Sequence, residues 1–454
     1  MKKEIKIFRK GKIVSKQISV IPLRYIFAMF LAVMEILAII GIMVVLSIYV
    51  PYFFVAVYIT HIVSIIAIVV SNDNPDYKTT WLFFVTMLPL VGFMLYFMFH
   101  KRTLPKKYLK RYNKIKDSYT YYNDENFKSL NQKNSLIASQ ARCLCNISEV
   151  GLYTNSDIKY FNSGEKMFKA MINELNKANK FIFLEYFIIE FGEFWNTILN
   201  ILIEKVKNGV EVKIVYDDIG CMNTLPGNYC KTMAQYGIEA VLFSKLKGRA
   251  NGEFNNRSHR KLLIIDGNCA FTGGVNIADE YINKVEKYGH WKDCGVKIKG
   301  KLVNEYTKLF LIDFYVNIKD DVKIDFNKYY IAKECSNENG FVIPFGDGPK
   351  PLYNDAVSKT AILNLLNSAS KSVYITTPYL VIDNETMRAI ENTAKRGVDV
   401  KIIVPHMPDK KLVFGVTKNN YQILKLIKKS DTPSDFFAFN NLMVKIILKY
   451  DKSA

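Results

Sequence analysis

The sequence predicts an α/β protein: apolar N-terminal transmembrane helices, then two tandem α/β halves packed as a pseudo-dimer, the second half incomplete. Three observations lead there. Three apolar stretches, each near the ~20 residues that cross a hydrocarbon core, fill residues 21–100. From about residue 151, short apolar runs alternate with amphipathic segments, the pattern of strands and helices packed in layers. That pattern then recurs. Ala178-Asn179-Lys180-Phe181-Ile182-Phe183 resembles Ala369-Ser370-Lys371-Ser372-Val373-Tyr374, and Lys207-Asn208-Gly209-Val210-Glu211-Val212-Lys213 resembles Lys395-Arg396-Gly397-Val398-Asp399-Val400-Lys401. A period of about 190 residues is too long for a solenoid and reads as a duplicated domain. Two such halves around a pseudo-twofold axis bring equivalent loops to one shared site.

Residues 1–20 form a basic tail, with Lys2, Lys3, Lys6, Arg9, Lys10, Lys12 and Lys16. Residues 25–47 are apolar except for Glu35, Pro51 ends the run, 52–70 is a second stretch, and Trp81 to Phe99 is a third. The first run is too long for a secretory signal and lacks a small-residue cleavage site, so it reads as retained. Both flanks of the region are basic, with His100-Lys101-Arg102, Lys106, Lys107, Lys110, Arg111 and Lys114 on the far side. The positive-inside rule places both flanks in the cytoplasm, which requires an even number of crossings. The third stretch holds Pro89 and Gly92 and is the one expected to be re-entrant or to lie in the interface, because Pro89 leaves a carbonyl without its helical partner.

Residues 101–150 read as a basic polar connector. The first half spans 151–330. Glu165 to Lys177 has helical spacing, Phe181 to Ile189 is an apolar strand interrupted by Glu185, and Phe194 to Lys207 is a helix ended at Asn208-Gly209. Val210 to Tyr216 is a further strand, and the alternation suggests a largely parallel sheet. The second half spans 341–425, and 426–454 is an atypical tail.

The chain carries 62 Lys+Arg against 42 Asp+Glu, a formal charge of +20, and is 50% hydrophobic. That balance suits an anionic partner, and the apolar N-terminal region selects anionic membrane lipid over nucleic acid. The seven cysteines are scattered and Cys143-x-Cys145 has no partner pair, so neither a zinc site nor a disulfide framework is indicated.

The chemistry concentrates in one predicted hairpin, Ser258 to Asn276. Leu262 to Ile265 reads as a buried strand, Asp266-Gly267-Asn268 as a turn, and Cys269 to Val275 as the return strand. Alternation along a strand puts His259 and Lys261 on one face. With Gly267-Asn268 as a two-residue turn, Asn276 lies opposite His259 and Gly274 opposite Lys261. An imidazole, an ammonium and an amide then converge, with a glycine leaving room: a nucleophile or proton shuttle, a cation and a neutral donor for a phosphate. A buried hairpin with a polar mouth carries the same alternation, so the pattern alone is only suggestive.

His259-x-Lys261-x4-Asp266 followed by Gly273-Gly274-x-Asn276 resembles the HKD motif of the phospholipase D superfamily. The resemblance narrows to bacterial cardiolipin synthases through Asn74-Pro75-x-Tyr77-Lys78-x2-Trp81, Leu184-Glu185-Tyr186-Phe187, Tyr216-Asp217-Asp218, Ala278-Asp279-Glu280-Tyr281 and Gly289-His290-Trp291-Lys292-Asp293. In the second half, Thr377-Pro378-Tyr379 and Pro405-His406-x-Pro408-Asp409-Lys410 belong to the same pattern. The resemblance implies a multi-pass bacterial cell-membrane enzyme with no cofactor and no metal, and the basic flanks place its catalytic part in the cytoplasm. Its reaction is phosphatidyl transfer between two phosphatidylglycerol molecules, giving cardiolipin and glycerol through a phosphohistidine. It implies His259 as nucleophile, Lys261 neutralising the phosphorane, Asp266 as the structural or histidine-orienting member of the motif, and Asn276 donating to an equatorial oxygen. Gly274, Glu185 and His290 are placed at the substrate, with His290 as a wall of the site.

The chain departs from the family in one respect. Its five histidines are His61, His100, His259, His290 and His406, and the second His-x-Lys expected near 440 is replaced by Thr432-Pro433-Ser434-Asp435-Phe436-Phe437-Ala438-Phe439-Asn440-Asn441. Three explanations fit: a frameshifted or truncated synthase, a half-site form completed by a second chain in a homodimer, or a catalytically inactive homologue. A membrane-tethered phosphodiesterase using the same motif is the competing enzyme class.

Overall fold

The computed structural model describes residues 2–9, 12–19, 23–50, 52–100, 104, 106–115, 124–246, 256–318, 324–335, 340–349, 352–353, 355–405, 407–428 and 443–448. Expectations for the absent second motif near 440 and for His406 fall outside these residues.

The basic tail forms an antiparallel pair, β1 (Lys2–Arg9) and β2 (Lys12–Ser19). Two helices long and apolar enough to cross a membrane follow, α1 (Leu23–Tyr49) and α2 (Phe53–Val70). The third apolar stretch is not one helix. It divides at Leu88 into α3 (Pro75–Met87) and α4 (Pro89–Phe99), 13 and 11 residues long. At ~1.5 Å per residue each is under about 20 Å, short of the ~30 Å hydrocarbon core. Pro89 opens α4 at its first turn, where its missing N–H is tolerated. The two helices fold back on each other. Tyr77 Oη donates to the His100 carbonyl at 3.3 Å, and the Trp81 and Tyr96 rings meet edge-on at 5.4 Å. A Cβ at Gly92 would sit against the Phe84 carbonyl and the Val85 Cα, so this close crossing requires glycine.

The connector is helical: α5 (Lys106–Ile115), α6 (Asp124–Lys133) and α7 (Ser135–Ser148). The first half then builds β3 (Asp157–Phe161), α8 (Gly164–Leu175), β4 (Phe181–Tyr186), α9 (Glu193–Lys207), β5 (Glu211–Asp217), α10 (Tyr229–Ala234), β6 (Glu239–Phe243), β7 (Lys261–Ile265), β8 (Cys269–Gly273), β9 (Gly295–Lys299) and α11 (Val303–Asn317). Its seven-stranded sheet runs β3-β9-β8-β7-β4-β5-β6. The sheet is mixed, not largely parallel: β4, β5 and β6 are parallel through helical crossovers, whereas β7, β8, β9 and β3 run antiparallel. The reason is local. After β6 the chain returns to the other edge of β4, and the tight turn after β7 can join only antiparallel strands.

Both faces of this sheet are covered. Ile182, Leu184 and Tyr186 of β4 join Leu263 and Ile265 of β7 in the core beneath α8 and α9. Phe181 and Phe183 join Leu262 and Ile264 in a second core beneath α11. The alternation follows the period of two, with both faces apolar because both carry helices.

The second half contains α12 (Val357–Ser368), β10 (Ser372–Thr376), α13 (Asn384–Lys395), β11 (Asp399–Pro405), α14 (Lys411–Lys428) and β12 (Met443–Leu448). Parallel pairing of β10 with β11 repeats that of β4 with β5, as the sequence repeat requires. β12 adds to β11 antiparallel. The start of α3 touches this half: the N-cap Asn74 donates Nδ2 to Asp383 Oδ2 at 3.2 Å, and Asp76 in the first turn accepts at Oδ2 from the Asn384 N–H at 3.2 Å.

Candidate active site

Lys261 opens β7 next to Tyr186, the last residue of β4, with which it pairs, and His259 lies two residues before it. Lys261 is buried, and its Nζ donates to the His259 carbonyl at 2.7 Å. Phe187, the residue after β4, underlies both: its ring centroid is 4.8 Å from the imidazole and 5.5 Å from the ammonium. His259 is exposed to solvent. Partial burial, together with repulsion from Lys261 and Lys410, lowers its pKa to about 4. The imidazole is therefore neutral at pH 7, as a nucleophile must be. Burial lowers Lys261 to about 8, opposed by the charge of Asp293.

The expected register is corrected. Leu262 pairs with Thr272 and Ile265 with Cys269, one residue off the two-residue-turn pairing. The positive φ angles fall on Asp266 and Gly267, at 51° and 60°, and Asn268 is an extra residue before the return strand. This shift carries Gly273, not Gly274, toward Lys261. β8 ends there, so Asn276 is not a cross-strand partner of His259. Asn276 is buried, with Oδ1 accepting from the Ile188 N–H at 3.1 Å and Nδ2 donating to Tyr281 Oη at 2.7 Å. It fixes the loop that carries Phe187.

Gly274 does leave room, and the occupant is a carboxylate: a Cβ there would collide with Asp293. Asp293 accepts from the Cys294 N–H at 2.8 Å and Trp291 Nε1 at 3.3 Å, and its charge acts on Lys261. Sequence reasoning placed Asp293 in a family segment without giving it a role. The available signal was a glycine beside the lysine with no partner to fill its space. His290 is exposed, and its electrostatic partner is Glu165, at the start of α8.

Glu185, expected at the substrate, is on the other face of the sheet. It pairs with Leu262, not with Lys261, so the period of two turns it toward α11. There it accepts from Ser258 Oγ at 2.5 Å and lies 3.9 Å from Arg260, which is ion-paired with Asp313. Burial, with Asp313 nearby, raises its pKa well above the ordinary carboxyl value.

Asp266 lies at the opposite end of β7 from His259, and the five residues of that strand alone span roughly 16 Å at ~3.3 Å per residue. Its carboxylate accepts from the N–H groups of Asn179 at 2.8 Å, Lys180 at 2.7 Å and Phe181 at 3.0 Å, binding the turn to the start of β4. That distance rules out orienting the histidine directly, and the structural alternative stands.

The second half also faces the site. Lys410 contributes to the field on His259 and stacks over the Tyr379 ring at 5.4 Å. Tyr379 donates its hydroxyl to Asp409, and Met407 abuts Gly289. Among the described residues no cluster of His, Cys, Asp and Glu suits a metal ion.

A histidine and a lysine at the end of the central strand of a mixed sheet, with a repeated α/β half facing them, define a phospholipase D-like protein. Comparison with known proteins agrees. The family model described as cardiolipin synthase, PLD-like domain, matches residues 171–311 and 362–436, and one described as phospholipase D-nuclease N-terminal matches 59–99. A cardiolipin synthase of Clostridium perfringens is 33% identical over 78% of this chain and 75% of its own length. An uncharacterized protein of Streptococcus mutans is 36% identical over 80% of this chain and 78% of its own. Phosphatidylserine synthase of Haemophilus influenzae, a solved structure, is similar at 17% identity with a TM-score of 0.46, over 63% of this chain and 74% of that one. The chain belongs to the cardiolipin synthase family.

Proposed function

We propose that this protein is a membrane phosphatidyltransferase that joins two phosphatidylglycerol molecules into cardiolipin and releases glycerol. The carrying observation is the neutral imidazole of His259 held beside the buried ammonium of Lys261. An imidazole nitrogen attacks the donor phosphorus, the P–O bond to glycerol breaks as the leaving oxygen takes a proton from solvent, and a phosphohistidine results. The primary hydroxyl of a second phosphatidylglycerol, giving its proton to solvent, then displaces the histidine. Lys261 offsets the charge gathering on the phosphorane oxygens. Asp293 keeps Lys261 more protonated than burial alone allows.

The folded-back α3–α4 pair supports a topology with two crossings, α1 and α2, and a re-entrant third stretch. The basic tail, the connector and both catalytic halves then share the cytoplasmic side, where anionic lipid attracts them.

Protein in phosphatidylglycerol vesicles tests the reading: cardiolipin and glycerol should appear together, and His259→Ala should abolish both. Phosphatidic acid in place of cardiolipin supports the phosphodiesterase reading instead. A second reading is favoured by the absence of any histidine after His406. The leaving glycerol then takes its proton from a group of a second copy, and turnover rises with the square of protein density in the vesicle.

A further inference from the structure

Beside His259 lies a cavity of about 720 Å³ that none of the catalytic groups beyond His259 explains. Lys261, Asn276 and Asp293 do not line it. Part of the lining comes from the folded-back apolar helices and the connector: Tyr77 and Trp81 of α3, Phe99 of α4, Leu104 just before α5 and Tyr108 within it. The rest of the lining comes from the catalytic halves, with Asn256 to Arg260 and Asp313 of α11 from the first and residues near Asp347 and Tyr353 from the segment before α12. The volume is within the ~300–1,000 Å³ of pockets that hold small molecules.

We propose that this cavity draws an acidic phospholipid sideways out of the bilayer, along the mouth of the α3–α4 pair, and presents its phosphate to His259. The proposal rests on the phosphatidyl-transfer reading and names how that site is supplied.

The lining combines aromatic and aliphatic side chains of α3, α4 and the connector with the guanidinium groups of Arg257 and Arg260, which flank His259 in sequence. The two carboxylates in the lining are already engaged: Asp313 is paired with Arg260, and Asp347 accepts from the Gly348 and Ser358 N–H groups at 2.8 and 2.9 Å. Arg257 is committed on one side, with Nη2 donating to the Ser244 carbonyl at 2.9 Å and Nη1 lying 3.7 Å from Asp217. Its Nε, Asn256 Nδ2 and Trp81 Nε1 have no hydrogen-bond partner among the described residues. Unmet donors cost about 1–3 kcal/mol each when buried. Three along one cavity are explained by an acceptor-rich guest, reached by small side-chain rotations. A phosphodiester supplies the acceptors, and its acyl chains suit the apolar walls. The walls are also continuous with helices that lie in the bilayer, so the lipid need not cross water.

The test uses the full-length protein in phosphatidylcholine vesicles with a phosphatidylglycerol probe bearing a diazirine in one acyl chain. After illumination, adducts are mapped by mass spectrometry. Adducts are expected on Tyr108 and Phe243, reduced at least fivefold by excess unlabelled phosphatidylglycerol but not by more phosphatidylcholine. Leu104→Trp, which fills the cavity, should reduce them as much, while Phe97→Trp, on an exposed part of α4 outside the lining, should not. His259→Ala should retain them, which checks the fold and separates binding from chemistry. Adducts confined to α1–α4, or adducts on Tyr108 indifferent to Leu104→Trp in a folded variant, overturn the proposal. Cardiolipin made without adducts at Tyr108 overturns it too. Competed adducts without cardiolipin would sustain the cavity and remove the transfer reading.

Discussion

Ser258 donates its hydroxyl to the buried Glu185 at 2.5 Å, from the residue immediately before the candidate nucleophile. The Ser258 N–H is held as well, by Asp217 Oδ2 at 3.1 Å. Two carboxylates thus fix the segment from which His259 projects, from the face of the sheet opposite Lys261. Glu185 is a positioning residue in this arrangement. Glu185→Ala should destabilise the protein by about 2–3 kcal/mol, through a lost hydrogen bond and a void. It should lower kcat with little change in KM. Glu185→Gln, which can still accept from Ser258, should stay within about 1 kcal/mol of the parent. The pH dependence has a definite sign. A carboxyl whose folded pKa is raised binds more protons folded than unfolded. Its contribution to stability therefore falls as pH rises from the ordinary carboxyl range toward the raised value. Glu185→Gln should lose less thermal stability than the parent over that interval. A rise in KM with stability and kcat unmoved would return Glu185 to the substrate.

The catalytic pair predicts a bell-shaped profile for kcat/KM. His259 must be neutral to attack, and its pKa is lowered to about 4, so the acid limb should fall well below the ordinary histidine value of about 6.5. Lys261 must be charged, and at about 8 it sets the alkaline limb. Asp293→Asn removes the charge that raises Lys261, so the alkaline limb should move to lower pH while the acid limb stays. Gly274→Ala, which displaces the same carboxylate, should act alike. Initial rates in vesicles across pH 4 to 10 check this, and an acid limb at 6.5 or above would contradict the placement of His259.

What the sequence revealed, and what it hid, follows from the range of each interaction. The apolar run Leu262 to Ile265 and the alternation in Phe181 to Tyr186 are local, and they locate the strands that carry the site. Turn residues were equally visible, yet the register was not. Asp266 and Gly267 both take left-handed angles and Asn268 is inserted after them, which shifts every facing pair by one. Sheet direction was hidden for a related reason, because periodicity does not say which edge of β4 a returning strand will take. The face that Glu185 takes was hidden as well, because a lone acid in an apolar strand signals a buried role without saying on which face. Asp293 and Lys410 reach the site from a distant loop and from the other half, and no spacing in the sequence records that.

Asp266 provides a separation of stability from catalysis. Its three N–H bonds join the turn to the start of β4, and its positive φ is one that aspartate and asparagine tolerate better than alanine. Asp266→Ala should cost about 2–4 kcal/mol in urea unfolding, and Asp266→Asn about half of that. Below the melting range both should keep kcat within about twofold of the parent. A stable Asp266→Asn protein with turnover reduced a hundredfold would instead give the residue a long-range role at His259.

The folded-back helices predict a topology that labelling can read. With α1 and α2 crossing and the α3–α4 pair returning to the side it left, single cysteines at Asn72 and at Lys110 should react with a membrane-impermeant maleimide from the same side of an oriented vesicle. Both should be protected from the other side. The native thiols Cys143 and Cys294 are exposed and must be replaced first. A cysteine at Tyr52, in the turn between α1 and α2, should show the opposite pattern. Gly92→Leu should test the cause. Its side chain would meet the Phe84 carbonyl and the Val85 backbone, forcing the two helices apart at their closest approach. If α3 and α4 then straighten into one helix of about 25 residues, near 37 Å at ~1.5 Å per residue, that helix is long enough to cross. Lys110 would change sides in a fraction of the molecules and their turnover would be lost with it. Unchanged labelling at Lys110 in both proteins, with accessibility opposite to Asn72, would show that the third stretch crosses the membrane already.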